Sequence, residues 1–115
     1  MAGNIELSQM EVRPECRWTA TGRYVLQFTR SGNLELWNIP ARKRLWESGT
    51  AGRGAARLTM QDDGNLVIYD DRQRPLWDSG TAGNRGAKLA VQEDGNVVIY
   101  SSDKRALWHT GTYEN

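Results

Sequence analysis

Trp46-Glu-Ser-Gly-Thr50 returns as Trp77-Asp-Ser-Gly-Thr81 and again as Trp108-His-Thr-Gly-Thr112, in two equal steps of 31 residues, from 46 to 77 and from 77 to 108. A second anchor keeps the same beat: Gly32-Asn33-Leu34, Gly64-Asn65-Leu66 and Gly95-Asn96-Val97. One extra residue lies between Asn33 and Trp46. The connecting stretches match too, Ala51-Gly-Arg-Gly-Ala-Ala-Arg-Leu58 against Ala82-Gly-Asn-Arg-Gly-Ala-Lys-Leu89. Such agreement at a fixed period marks a repeat architecture. The copies fall at approximately 18–48, 49–79 and 80–112 of one domain spanning 1–115.

Within a copy the pattern is β throughout. Leu58 to Gln61 alternates apolar and polar, Asp62-Asp63-Gly64-Asn65 is a strong turn, and Leu66 to Tyr69 is rich in β-branched and aromatic residues. Asp70 to Gln73 makes a second turn, and Arg74-Pro75-Leu76-Trp77 a third strand, placed at an edge because Pro75 lacks a donor. The third copy repeats the order through Leu89 to Gln92, Val97 to Tyr100 and Ala106 to Trp108. No stretch sustains a helical period, so the chain is all-β. A unit this small cannot bury its own apolar face, and three of them are expected to pack around a shared axis. Trp46, Trp77 and Trp108, one ring per copy, are the expected occupants of that core.

Composition fits a thin or divided core: of 115 residues 38% are apolar, and mean hydropathy is −0.69. Fifteen basic residues against 14 acidic ones leave a charge of +1, which steers the chain toward neither nucleic acid nor an anionic membrane. The basic runs Arg42-Lys43-Arg44 and Lys104-Arg105 fall at turns. One cysteine, Cys16, allows no intrachain disulfide, and no Cys/His cluster offers metal spacing, so neither metal nor cofactor is expected. The N-terminal MAGNIELSQMEV has no signal-peptide character, and no run approaches membrane-spanning length. The expectation is a soluble protein, cytoplasmic or exported by a route that needs no signal.

The chemistry sits at alternate positions. Gln61, Asp63, Asn65, Val67 and Tyr69 recur as Gln92, Asp94, Asn96, Val98 and Tyr100. Alternate side chains of a strand share a face, so Asn65, Val67 and Tyr69 point one way while Leu66 and Ile68 point to the core. Pairing the hairpin strands brings all five onto one shallow patch. Amides that donate and accept, a carboxylate that accepts strongly and a hydrocarbon surface suit vicinal hydroxyls on a sugar ring. Turn formation alone accounts for Asp and Asn, but not for Gln61 and Gln92 or the recurring tyrosine.

Gln61-Asp-Asp-Gly-Asn-Leu-Val-Ile-Tyr69 and Gln92-Glu-Asp-Gly-Asn-Val-Val-Ile-Tyr100 both resemble the QxDxNxVxY motif of the bulb-type, monocot mannose-binding lectins. The resemblance covers nearly the whole chain. It implies a β-prism II fold, three four-stranded antiparallel sheets around a pseudo-threefold axis, and metal-independent recognition of α-mannose. It also implies roles: Asp63 and Asn65 hold the 2-hydroxyl, Gln61 the 3-hydroxyl and Tyr69 the 4-hydroxyl, with Val67 against the ring. Asp94, Asn96, Gln92, Tyr100 and Val98 follow in the same order.

The first copy departs from the motif, reading Thr29, Ser31, Asn33, Glu35 and Trp37. It lacks the carboxylate and the glutamine, and Glu35 sets a charge where hydrocarbon should meet the ring. Two working sites and one degenerate site are therefore expected. Plant members usually carry a disulfide and a signal peptide; their absence points to a microbial or cytosolic relative. The resemblance further suggests a homodimer through exchange of a C-terminal strand, about Leu107 to Tyr113. The rival reading is a lectin-fold module that binds protein without using sugar. Catalysis is not expected: the single histidine, His109, stands where the other copies have Glu47 and Asp78.

Overall fold

A computed structural model of the chain describes residues 4–114. Its strands in chain order are β1 (Ile5–Leu7), β2 (Met10–Val12), β3 (Cys16–Ala20), β4 (Tyr24–Phe28), β5 (Leu34–Asn38), β6 (Lys43–Glu47), β7 (Ala55–Met60), β8 (Leu66–Asp70), β9 (Pro75–Asp78), β10 (Lys88–Val91), β11 (Val97–Tyr100) and β12 (Ala106–His109). They form three four-stranded antiparallel sheets, β3-β4-β5-β6, β2-β7-β8-β9 and β1-β10-β11-β12. No helix among the described residues is long and apolar enough to cross a membrane.

The core follows from the alternation. Each sheet sends four side chains inward from its two central strands: Leu26, Phe28, Leu34 and Leu36; Leu58, Met60, Leu66 and Ile68; Leu89, Val91, Val97 and Ile99. All are essentially inaccessible to solvent. Trp46, Trp77 and Trp108 pack against this cluster and meet one another edge to face, with ring centroids 5.5 to 5.6 Å apart. They are half-buried rather than enclosed, so the rings close the aliphatic core and do not constitute it.

A shared irregularity lets the tryptophans turn inward. Ile68 pairs with Trp77 and Tyr69 with Pro75, leaving Leu76 as an extra residue, and Leu45 and Leu107 are extra at the same step. Neighbouring residues on a regular strand face opposite ways. The bulge lets Leu76 and Trp77 both pack on the core. Pro75 opens an edge strand, where its missing N–H costs no ladder bond.

The sheets differ in how they are filled. Residues 16–47 build the first sheet as one continuous meander, whereas the second and third take their fourth strands, β2 and β1, from the N-terminus. Residues 5–12 lie outside the repeated copies, and their strand role is not visible in the repeat. The C-terminal segment packs onto the third sheet: β12 pairs with β11, Thr112 Oγ1 donates to the Gly95 carbonyl at 2.6 Å, and the Glu114 amide donates to the Asp94 carbonyl at 2.6 Å. Among the described residues all three sheets are four-stranded.

Candidate carbohydrate-binding sites

Both full motifs lie on the outer face of a central hairpin, β7-β8 or β10-β11, and their parts come together. Gln61 Nε2 donates to the Tyr69 hydroxyl, and Gln92 Nε2 donates to the Tyr100 hydroxyl at 2.6 Å. Asp63 and Asp94 are exposed at the turns, each using Oδ1 to accept the backbone amide two residues on, at 3.0 and 2.9 Å. Val67 and Val98 lie beneath at 2% and 3% exposure, so hydrocarbon forms a covered floor rather than the open platform expected from alternation alone.

The asparagine divides its amide between two tasks. Asn65 Oδ1 accepts from Ser79 Oγ at 3.0 Å and the Thr81 amide at 3.1 Å, tying the hairpin turn to the Trp-x-Ser-Gly-Thr segment. Asn96 Oδ1 accepts from Thr110 Oγ1, Gly111 N and Thr112 N at 3.1 to 3.2 Å. Among the described residues nothing takes the Nδ2 hydrogens of Asn65 or Asn96. The recurring Ser/Thr-Gly-Thr, visible in the sequence only as a repeat, is the clamp that orients those donors.

In the first copy the same clamp holds, with Asn33 Oδ1 accepting from Ser48 Oγ at 3.2 Å and the Thr50 amide at 3.0 Å. Its Nδ2, however, donates to Glu35 Oε2 and to Glu47 Oε1, both at 2.8 Å. Trp37 Nε1 donates to Glu35 Oε1 at 2.8 Å, and Arg44 lies 3.7 Å from Glu35 and 3.0 Å from Glu47. Burial pushes the Glu35 carboxyl up, but hydrogen bonds from Trp37, Asn33 and Gln27 and the Arg44 charge outweigh it and hold Glu35 below its ordinary range. Thr29 Oγ1 and Ser31 Oγ bond to each other at 2.9 Å. The polar atoms at the first-copy positions are thus engaged with one another and with Arg44, Glu47, Ser48 and Thr50.

The two full motifs have different surroundings. Beside Tyr69 the Arg57 guanidinium lies 4.4 Å over the ring, pairs with Glu11 at 3.4 Å and bonds to Gln73. Beside Tyr100 the counterpart is the exposed Lys88, and a cleft of about 310 Å³ opens there. Neither Arg57 nor Lys88 stands out in the sequence, since the difference lies in partners brought from distant strands.

No family model matches the chain. The snowdrop (Galanthus nivalis) mannose-specific agglutinin, solved with methyl-α-D-mannoside, is 33% identical, with 96% of this chain and 98% of that one covered and a TM-score of 0.76. The chain belongs to the bulb-type mannose-binding lectin family. A lectin of Marasmius oreades superposes with a TM-score of 0.82 at 31% identity, covering 93% of this chain and 90% of that one. Among curated relatives, Curculin-2 of Molineria latifolia is 42% identical over 52 residues, 44% of this chain and 32% of the relative. The mannose-specific lectin of Narcissus pseudonarcissus is 43% identical over 52 residues, 44% of this chain and 46% of the relative. The matched stretch thus spans less than half the length of these curated relatives. The three four-stranded sheets are the β-prism II architecture of the snowdrop lectin, and lectins bind sugar without transforming it.

Proposed function

We propose that this chain binds mannose-bearing glycans through two sites, Gln61-Asp63-Asn65-Val67-Tyr69 and Gln92-Asp94-Asn96-Val98-Tyr100, while the first-copy positions bind no mannose. The observation that carries this reading is the asparagine. In the second and third copies its oxygen is clamped and its Nδ2 is left to donate, whereas in the first that nitrogen is taken by Glu35 and Glu47. A clamped donor beside an exposed carboxylate suits one hydroxyl that both donates and accepts, and the Gln-Tyr pair suits the next hydroxyls along the ring. In this proposal the amides, the carboxylate and the phenol meet the sugar hydroxyls directly, with no metal ion between them.

Net hydrogen bonds of about 0.5–1.5 kcal/mol each, set against the cost of association, place a single shallow site near the millimolar range. Two sites on one rigid frame gain from a multivalent glycan surface. A microbial or cytosolic origin is supported by the single Cys16, which leaves nothing to cross-link within the chain.

Retention on immobilised mannose, together with a glycan array, tests the reading. Asp63→Ala combined with Asp94→Ala should abolish retention, each single change should weaken it, and Ser31→Ala should leave it unchanged. If the wild-type chain binds no mannosylated glycan, the proposal fails. A module that works independently of sugar would keep its function in the double variant.

A further inference from the structure

The third site differs from the second on the side where the glutamine and tyrosine lie. The cleft of about 310 Å³ is lined by Gln92 and Tyr100 of the motif and continues past Lys88 on β10 to Lys104 and Ser102 in the β11-β12 turn, with Glu6 of β1 on its far wall. Residue for residue, the second copy has Arg57 for Lys88, Gln73 for Lys104 and Glu11 for Glu6. There Arg57 bonds to Gln73, pairs with Glu11 and lies over the Tyr69 ring, so its charge is engaged within the protein. Among the described residues Lys88 and Lys104 form no ion pair and no side-chain hydrogen bond, and both are exposed. A lysine carries a compact charge on a flexible stem, and two of them opposite one carboxylate leave a net positive cleft.

We propose that the third site, and not the second, prefers mannose bearing an anionic group, a phosphate ester or a neighbouring uronate, received by Lys88 and Lys104. This rests on the mannose reading above and assigns the two sites different ligands. Tyr100 and Gln92 would hold the sugar while the anion enters the cleft next to them. In the second site, Arg57 is already paired with Glu11 and lies over the Tyr69 ring.

Asp63→Ala isolates the third site and Asp94→Ala the second. Titration of each variant, followed by NMR, would compare methyl α-mannoside with mannose 6-phosphate and with a glucuronic acid–mannose disaccharide. With only the third site intact, at least one anionic probe should bind about three- to tenfold tighter than methyl α-mannoside at low salt, and which one does so distinguishes phosphate from uronate. With only the second site intact, no gain is expected. Lys88→Gln with Lys104→Gln, placed on Asp63→Ala, should erase the gain and leave methyl α-mannoside binding as it was. Binding of methyl α-mannoside without preference for either anionic probe, or a preference that survives loss of both lysines, would overturn this proposal alone. Failure of both isolated sites to bind methyl α-mannoside would remove the mannose reading with it.

Discussion

Asn65 and Asn96 show how one side chain serves fold and site at once, and why an asparagine also persists at position 33. The oxygen clamps the turn in all three copies, so Asn33 is retained where the other motif residues are not. This division could not be read from the motif, because the donors that fix the oxygen of Asn65, Ser79 and Thr81, come from a different strand end. That Gln61 and Tyr69 share one patch was legible from alternation, but their hydrogen bond was not, since hairpin register sets Tyr69 opposite Arg57. The contrast between Arg57 and Lys88 was not, because it depends on Glu11 and Gln73 arriving from elsewhere. The double role predicts that stability and binding separate at neighbouring residues. Asn65→Ala strands the buried Thr81 amide and should lower unfolding free energy by about 1–3 kcal/mol as well as weaken mannose retention. Asp63→Asn keeps an oxygen for the Asn65 amide, so it should weaken retention with little change in the urea midpoint.

At the scale of elements, the hairpins announced themselves through Asp-Gly turns and alternation, and the structure places turns and strands where those signals fall. The three-residue strands β1 and β2 did not, since Ile5–Leu7 and Met10–Val12 are too short to show a period and gain their role only by pairing with β10 and β7. Hairpin turns also serve as seats for the next segment along the chain. The amides of Gly52, Asn84 and Glu114 donate to the carbonyls of Ser31, Asp63 and Asp94, so each turn is fastened to the stretch that leaves its own copy. Gly64 marks the closest of these approaches: its φ is +91°, and a Cβ there would sit 2.2 Å from the Asn84 carbonyl oxygen. Gly80 has φ +71° with open space around it. Gly80→Ala should therefore cost about 1–2 kcal/mol, the strain of a left-handed backbone alone. Gly64→Ala adds a backbone collision and should cost about 3 kcal/mol or more. Urea denaturation of the two variants checks the ordering, and equal losses would mean that the turn yields without disturbing the neighbouring segment.

For the whole molecule, the threefold arrangement is closed by its two ends, and that closure bears on assembly. At the C-terminus, Glu114 Oε1 accepts from the Tyr24 hydroxyl at 2.7 Å and from Asn38 Nδ2 at 3.0 Å, joining the end of the third copy to the first sheet. The Glu114 hydrogen bond, followed by burial and the Glu114 charge, raises the Tyr24 hydroxyl above its ordinary pKa. At the N-terminus, β1 and β2 cover the strand edges of β10 and β7. Each sheet still ends on edge strands, β1 and β12, β2 and β9, and β3 and β6, and exchange of the C-terminal segment would replace β12 on β11. Sedimentation at micromolar concentration checks the expected exchange of the segment from Leu107 to Tyr113: a species of twice the 13.0 kDa chain mass is expected, and a 13.0 kDa species would count against exchange. A chain begun at Arg13 would lack both strands and present the ladder groups of β7 and β10 beside Leu58, Met60, Leu89 and Val91. Such a chain should self-associate or lose its cooperative unfolding. If it keeps the full-length chain's mass class and urea midpoint, the N-terminal strands are dispensable. If the full-length chain sediments at twice the monomer mass, and removal of Leu107 to Tyr113 abolishes pairing while Glu114→Gln does not, exchange at the C-terminus governs assembly.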